Sequence, residues 1–134
     1  MTLLSANLTH APLYAGLLGL LLAALGINTS LHRLRTRAFS DFGNDDTLRR
    51  ASRAHGLSLE HGLPLVLFLC VLELQGMGKA TIDLLGCALL AGRLLHTAGI
   101  LLKLSALGRT GVVLTYVLEV AMPLGMISLA LHAR

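Results

Sequence analysis

The sequence predicts an all-α integral membrane protein, a bundle of four transmembrane helices, and three observations carry that reading. First, the 134-residue chain is 54% hydrophobic and only 13% charged, with mean hydropathy +0.74. A soluble domain carries about 25% charged residues, so this chain lacks the charge to cover a water-facing surface. Second, apolar runs occupy residues 11–31, 57–75, 80–102 and 111–131. Each is roughly 20 residues long, the length a helix needs to cross about 30 Å of hydrocarbon. Lone strands would leave backbone groups unpaired in lipid, and four runs are too few for a closed barrel. Third, the basic residues sort into the connections on one side.

The first run has no Lys or Arg ahead of it and no small-residue cleavage site before a soluble domain. A retained helix is therefore expected, not a signal peptide. HRLRTRAFSDFGNDDTLRR (32–50) reads as a polar loop with turn signals at 42–46. Asp45, Asp46 or Thr47 is suited to cap the helix that runs on into the second span. GMGK (76–79) is a tight turn, and SALGRTG (105–111) is another short connection. Nothing marks a second domain, so residues 1–134 are read as one. Leucine dominates the spans, and glycines 16, 19, 26, 86, 92, 99 and 125 offer places for helices to approach closely. Tryptophan is absent and aromatic residues make up 4%, so any interfacial aromatic belt is thin. Cys70 and Cys87 lie in apolar runs without CxxC or Cys/His spacing. They read as inert thiols, and no metal site is expected.

Orientation follows from the cations. Arg33, Arg35, Arg37, Arg49, Arg50 and Arg53 flank the first connection, and Lys103 and Arg109 the third. The other side has Lys79 and Arg134. Positive loops stay cytoplasmic, which places both termini on the non-cytoplasmic side. The net charge of +4 is thus a topology signal, and no nucleic-acid partner is expected.

Charges inside the bilayer are costly and point to function. The candidates are Arg53, Glu60, Arg93, His96 and Glu119. Arg53 and Glu60, seven residues apart, share one helix face but stand about 10.5 Å apart along its axis. Glu60 is therefore expected to find its partner elsewhere, with Arg93 and His96, at i and i+3, as natural candidates. Pro64 withholds an N–H from the carbonyl of residue 60. A buried ion-pair network that only fixes packing would use the same residues. However, Arg50, Arg53, Arg93, His96 and Arg109 outnumber the carboxylates near them, and an unbalanced positive pocket asks for an anionic ligand. His55 and His61 fall off this stripe and read as interfacial or packing residues. Glu73 and Asp83 read as solvated residues at the span ends. A small proton-coupled transporter using Glu60 is a further possibility.

Arg50-Ala-Ser-Arg53-Ala-His55 followed by Glu60 and Pro64 resembles the R-x-x-R-A-H-x-N-x-x-E-x-x-P signature of the MAPEG family (membrane-associated proteins in eicosanoid and glutathione metabolism). RLRTRAFSDFGNDD (33–46) looks like that family's first cytoplasmic loop. AGRLLHTAGI (91–100) is similar to its third-helix segment, and GRTG (108–111) to the turn before its fourth helix. The overall look is that of short bacterial members, which implies the bacterial inner membrane. The resemblance also implies a homotrimer binding glutathione as cosubstrate between subunits near the cytoplasmic face, with a small lipophilic second substrate arriving from the membrane lipid. It assigns the glutathione or anion site to Arg50, Arg53, Glu60, Arg93 and His96, and places Arg109 and Thr110 near the thiol. An arginine or hydroxyl beside sulfur favours the thiolate, the active nucleophile. The chain departs from the pattern at Leu57, where the signature has asparagine, at Gly56, which replaces a second arginine, and at Ile100 and Val113, which replace tyrosines. A relative that binds a lipid or another anion in the same pocket is the alternative.

Overall fold

The computed structural model describes residues 7–38, 42 and 44–133. Helix α1 (Ala11–Thr36) starts with Pro12 in its first turn, where a missing N–H costs nothing. It continues five residues past the apolar run, through His32–Thr36, and stops at Arg37 with φ 55°. Helix α2 (Asp46–Leu74) begins well before its apolar run. Asp45 is the cap, its Oδ1 accepting from the amides of Thr47 at 2.8 Å and Leu48 at 2.9 Å. The helix runs unbroken through Pro64. A turn at Gly76, φ +87°, leads into helix α3 (Lys79–Leu101). Lys103, φ 58°, makes the next reversal, and helix α4 (Ser105–His132) follows. SALGRTG is thus the first two turns of α4, not a connection. The stretch 33–46 lies partly outside the described residues, as does Arg134.

All four helices are long and apolar enough to cross a membrane. Leu13, Leu20, Leu84, Leu94, Val117 and Leu124 point outward, an apolar exterior that water would not tolerate. The chain is an integral membrane protein. α2 and α3 lie centrally, α3 packs most extensively on α4, and α1 packs on α2 and α3, its backbone remote from that of α4.

The interior is divided along its length. The buried apolar cluster joins Ala11, Tyr14 and Leu18 of α1 to Leu65, Leu69 and Leu72 of α2, Ile82 and Leu89 of α3, and Leu118 and Met122 of α4. These residues fill the half of the bundle away from the basic connections. The basic half buries Leu25 and Leu48 beside many small and polar groups, among them Ala51, Ala54, Ser58, Arg93, Thr97 and Thr115. There α3 and α4 touch backbone to backbone. A Cβ on Gly99 would stand 2.3 Å from Gly108, and one on Gly111 would stand 2.4 Å from the His96 amide. Gly92 and Gly86 are also packed, Gly86 beneath the Tyr14 ring, whereas Gly16 and Gly19 face open space.

At the end opposite the basic loops, Glu73 caps α1 from a distance. Its Oε1 accepts from the Thr9 amide and hydroxyl, both at 2.9 Å, and from the His10 amide at 2.8 Å. Its Oε2 accepts from the Ala11 amide at 2.8 Å. A carboxylate at a helix N-terminus satisfies orphan donors and meets the positive end of the dipole. Asp83 accepts from the Tyr14 hydroxyl at 3.0 Å and lies 2.8 Å from His10 Nδ1. Both carboxylates, expected to be merely solvated, instead fasten α1 to α2 and α3. Cys70 is half-buried, while Cys87 is exposed with its sulfur 3.7 Å from the Tyr14 hydroxyl.

Candidate functional site

The helical repeat of α2 brings Arg49, Arg50, Arg53 and Glu60 to one open cleft of about 600 Å³, closed on the α3 side by Ile100. Arg50 is ion-paired with Asp46 one turn back, and Asp46 also meets Lys103 Nζ at 3.2 Å. Arg53 and Glu60 are exposed and make no hydrogen bond or ion pair among the described residues. Their shared face is as the spacing predicted.

The pairing expected between Glu60 and Arg93 does not form. Arg93 is wholly buried and ties three helices together through neutral acceptors. One Nη donates to the Leu57 carbonyl of α2 at 2.9 Å. The other donates to Thr115 Oγ1 of α4 at 3.0 Å and to His96 Nδ1 at 2.7 Å. Beside it, Ser58 and Thr97 hydroxyls pair at 3.1 Å. Arg93 is therefore a clasp in the bundle wall. It also faces a smaller cavity of about 180 Å³ between α2, α3 and α4.

Arg109 is exposed on the first turns of α4, its Nε donating to the Ser105 carbonyl at 3.4 Å. It lines a third cleft of about 370 Å³ with His96, Gly99 and Ile100. Thr110 is exposed and donates to the Ala106 carbonyl at 3.1 Å; it is not among the residues lining these clefts. The three hollows are neighbours that share lining residues. Arg53 and Leu57 border the first and second, His96 and Val112 the second and third, and Ile100 the first and third. Arg50, Arg53, Glu60, Arg93, His96 and Arg109 thus line three adjoining hollows at the basic end.

One polar pair was not anticipated. His61, expected to be a packing residue, has Nδ1 2.6 Å from Glu119 Oε1, and both side chains are mostly shielded. The Tyr116 ring stands edge-on to the imidazole at 5.7 Å between centroids. Glu119 carried a signal as an intramembrane carboxylate, but no linear spacing links it to a residue 58 positions earlier on another helix. His55 does pack, its ring 3.3 Å from where a Cβ on Gly26 would be.

Among known proteins, the family model described as "MAPEG family" matches residues 11–130. No curated protein and no solved structure matches the chain.

Proposed function

The chain belongs to the MAPEG family, and from that premise we propose that it is a membrane-bound glutathione transferase or peroxidase that activates the thiol near the cytoplasmic face. The observation that carries this reading is the composition of the 600 Å³ cleft. Arg49 and Arg53 offer cationic donors, while Glu60 is a lone carboxylate with no protein partner among the described residues. A tripeptide with two carboxylates and one ammonium group matches that charge pattern, its carboxylates toward the arginines and its ammonium toward Glu60. Arg109, one cleft further on, would hold the developing thiolate, with Thr110 beside it. The apolar flank of α4, where Val113, Val117 and Val120 are exposed, lets a lipophilic electrophile approach from the bilayer.

The same reading includes a homotrimer. Arg53 and Glu60 sit on an open flank of the protomer, and a neighbouring copy would supply the missing wall. It also includes cytoplasmic basic loops in a bacterial inner membrane, following the charge asymmetry. A second reading, an anionic lipid head group in the same cleft, is favoured by aliphatic Leu57 and Ile100 in its lining. Lipid co-purifying with the wild type and lost in Arg53→Ala would select it.

The test is calorimetry of glutathione with the protein in nanodiscs, together with conjugation of a generic aryl electrophile. Arg53→Ala and Glu60→Gln are each expected to weaken binding roughly tenfold, the worth of one charged hydrogen bond. Wild-type protein that neither binds glutathione nor conjugates the electrophile would sink the reading.

A further inference from the structure

We infer that His61, held by Glu119, is the general base that takes the proton from the substrate thiol. The inference rests on the glutathione reading and adds a catalytic residue to it.

It is carried by two histidines facing one cavity in opposite tautomers. Both His61 and His96 line the 180 Å³ hollow, together with Arg53, Arg93, Thr115 and Tyr116. His96 Nδ1 is 2.7 Å from an Arg93 nitrogen. A guanidinium can only donate, so Nδ1 of His96 holds the lone pair and its proton sits on Nε2. His61 Nδ1 is 2.6 Å from Glu119 Oε1. A carboxylate only accepts, so here Nδ1 carries the proton and Nε2 of the neutral ring is left with a free lone pair. His61 is part of the cavity lining and Glu119 is not. Tyr116 stands edge-on to the imidazole. The two imidazoles in the lining thus differ at Nε2, an acceptor on His61 of α2 and a donor on His96 of α3.

A carboxylate-oriented imidazole is the arrangement that activates nucleophiles. The hollow borders the Arg53 cleft on one side and the Arg109 cleft on the other. A cysteinyl arm reaching past Arg53 and Leu57 from a peptide in the first cleft would enter it. The S–H bond breaks, its electron pair stays on sulfur, and the proton moves to Nε2 of His61. Glu119 stabilises the resulting imidazolium. The thiolate then forms a C–S bond to the aryl carbon as its C–Cl bond breaks, chloride leaves with the electron pair, and the imidazolium releases the proton to water. No oxidant or reductant is consumed.

The test uses full-length protein in nanodiscs, glutathione, and an aryl chloride as electrophile. His61→Gln keeps a donor toward Glu119 but has no basic nitrogen. Glutathione binding should stay within about twofold of wild type while kcat falls roughly 100-fold, the lower range of a lost general base. The ultraviolet thiolate band of the bound peptide should fall with it. His61→Ala should regain rate as imidazole is added to the buffer, which a merely distorted bundle would not do, and this series decides if His61→Gln fails to fold. Glu119→Gln should lower kcat with KM little changed, and Glu119→Asp should recover part of it. A His61→Gln protein that binds glutathione and turns over at the wild-type rate overturns the base assignment and leaves the glutathione reading standing. Wild-type protein that binds no glutathione overturns both.

Discussion

Replacing Gly99 by alanine tests how α3 and α4 meet. The added Cβ would stand 2.3 Å from both the Cα and the amide nitrogen of Gly108, and 3.1 Å from the Leu104 carbonyl oxygen. Ordinary carbon contacts lie at about 3.5–4.0 Å, so the helices must part by roughly 1 Å. Backbone atoms cannot rotate aside as a side chain can. The movement is resisted next door, where Gly111 sits against the His96 backbone and Gly92 against Thr115. It would also stretch the 3.0 Å bond from Arg93 to Thr115. Overpacking of this kind costs about 1–3 kcal/mol, and a weakened buried hydrogen bond adds about 1 kcal/mol. Alanine's better helix propensity offsets about 1 kcal/mol. The expected net loss is about 2 kcal/mol, or a drop of roughly 8 °C in melting temperature for a chain of this size. Thermal unfolding in detergent micelles, followed by circular dichroism, measures it. Gly16→Ala, where the new carbon meets nothing within 4 Å, is the control and should melt at or slightly above wild type. If the two variants melt within about 2 °C of each other, the backbone contact does not constrain the bundle.

Three further substitutions follow from the geometry. Glu73→Gln turns an acceptor oxygen into a donor at the start of α1. It should cost about 1–2 kcal/mol and speed hydrogen exchange at the amides of Thr9, His10 and Ala11. Asp45→Ala removes the α2 cap, so the amides of Thr47 and Leu48 should exchange faster, with a loss of about 1 kcal/mol confined to the basic end. Arg93→Lys should destabilise the protein more than Arg93→Met does, by about 1–3 kcal/mol in the same melting assay. Lysine keeps a buried charge that cannot span three acceptors, whereas methionine removes the charge.

Much of the architecture was legible because hydropathy and helix length are one-dimensional. The four spans, the seven-residue spacing that puts Arg53 and Glu60 on one face, and the i, i+3 contact of Arg93 with His96 all follow from the period of a single helix. Helix ends were less legible. Hydropathy marks where lipid begins, while backbone hydrogen bonds carry α1 on through His32–Thr36 and start α2 at Asp46 and α4 at Ser105. Contacts between helices were least legible. Glu73 reaching Thr9, and His61 reaching Glu119, depend on packing depth and azimuth that no local pattern records. The spacing offers Arg93 to Glu60 as an ion-pair partner. It bonds the Leu57 carbonyl instead of that carboxylate, and every residue has a carbonyl, so the sequence cannot flag it.

The division of the interior gives His61 and Glu119 their place. On α2 the buried positions pass from Ser58 through Gly62 to Leu65, and on α4 from Thr115 through Leu118 to Met122. Residues 61 and 119 fall at those crossings. Toward the basic end lie Arg93, His96, Ser58 and Thr97, groups that can donate or accept a hydrogen bond. Toward the other end lies the cluster of Leu65, Leu69, Leu118 and Met122, which can do neither. A ligand entering from the basic end therefore meets the imidazole and carboxylate as the last polar pair before hydrocarbon. A charge at that depth is costly unless it is paired or used. The pairing is present in the protein, and the cavity beside it offers the use.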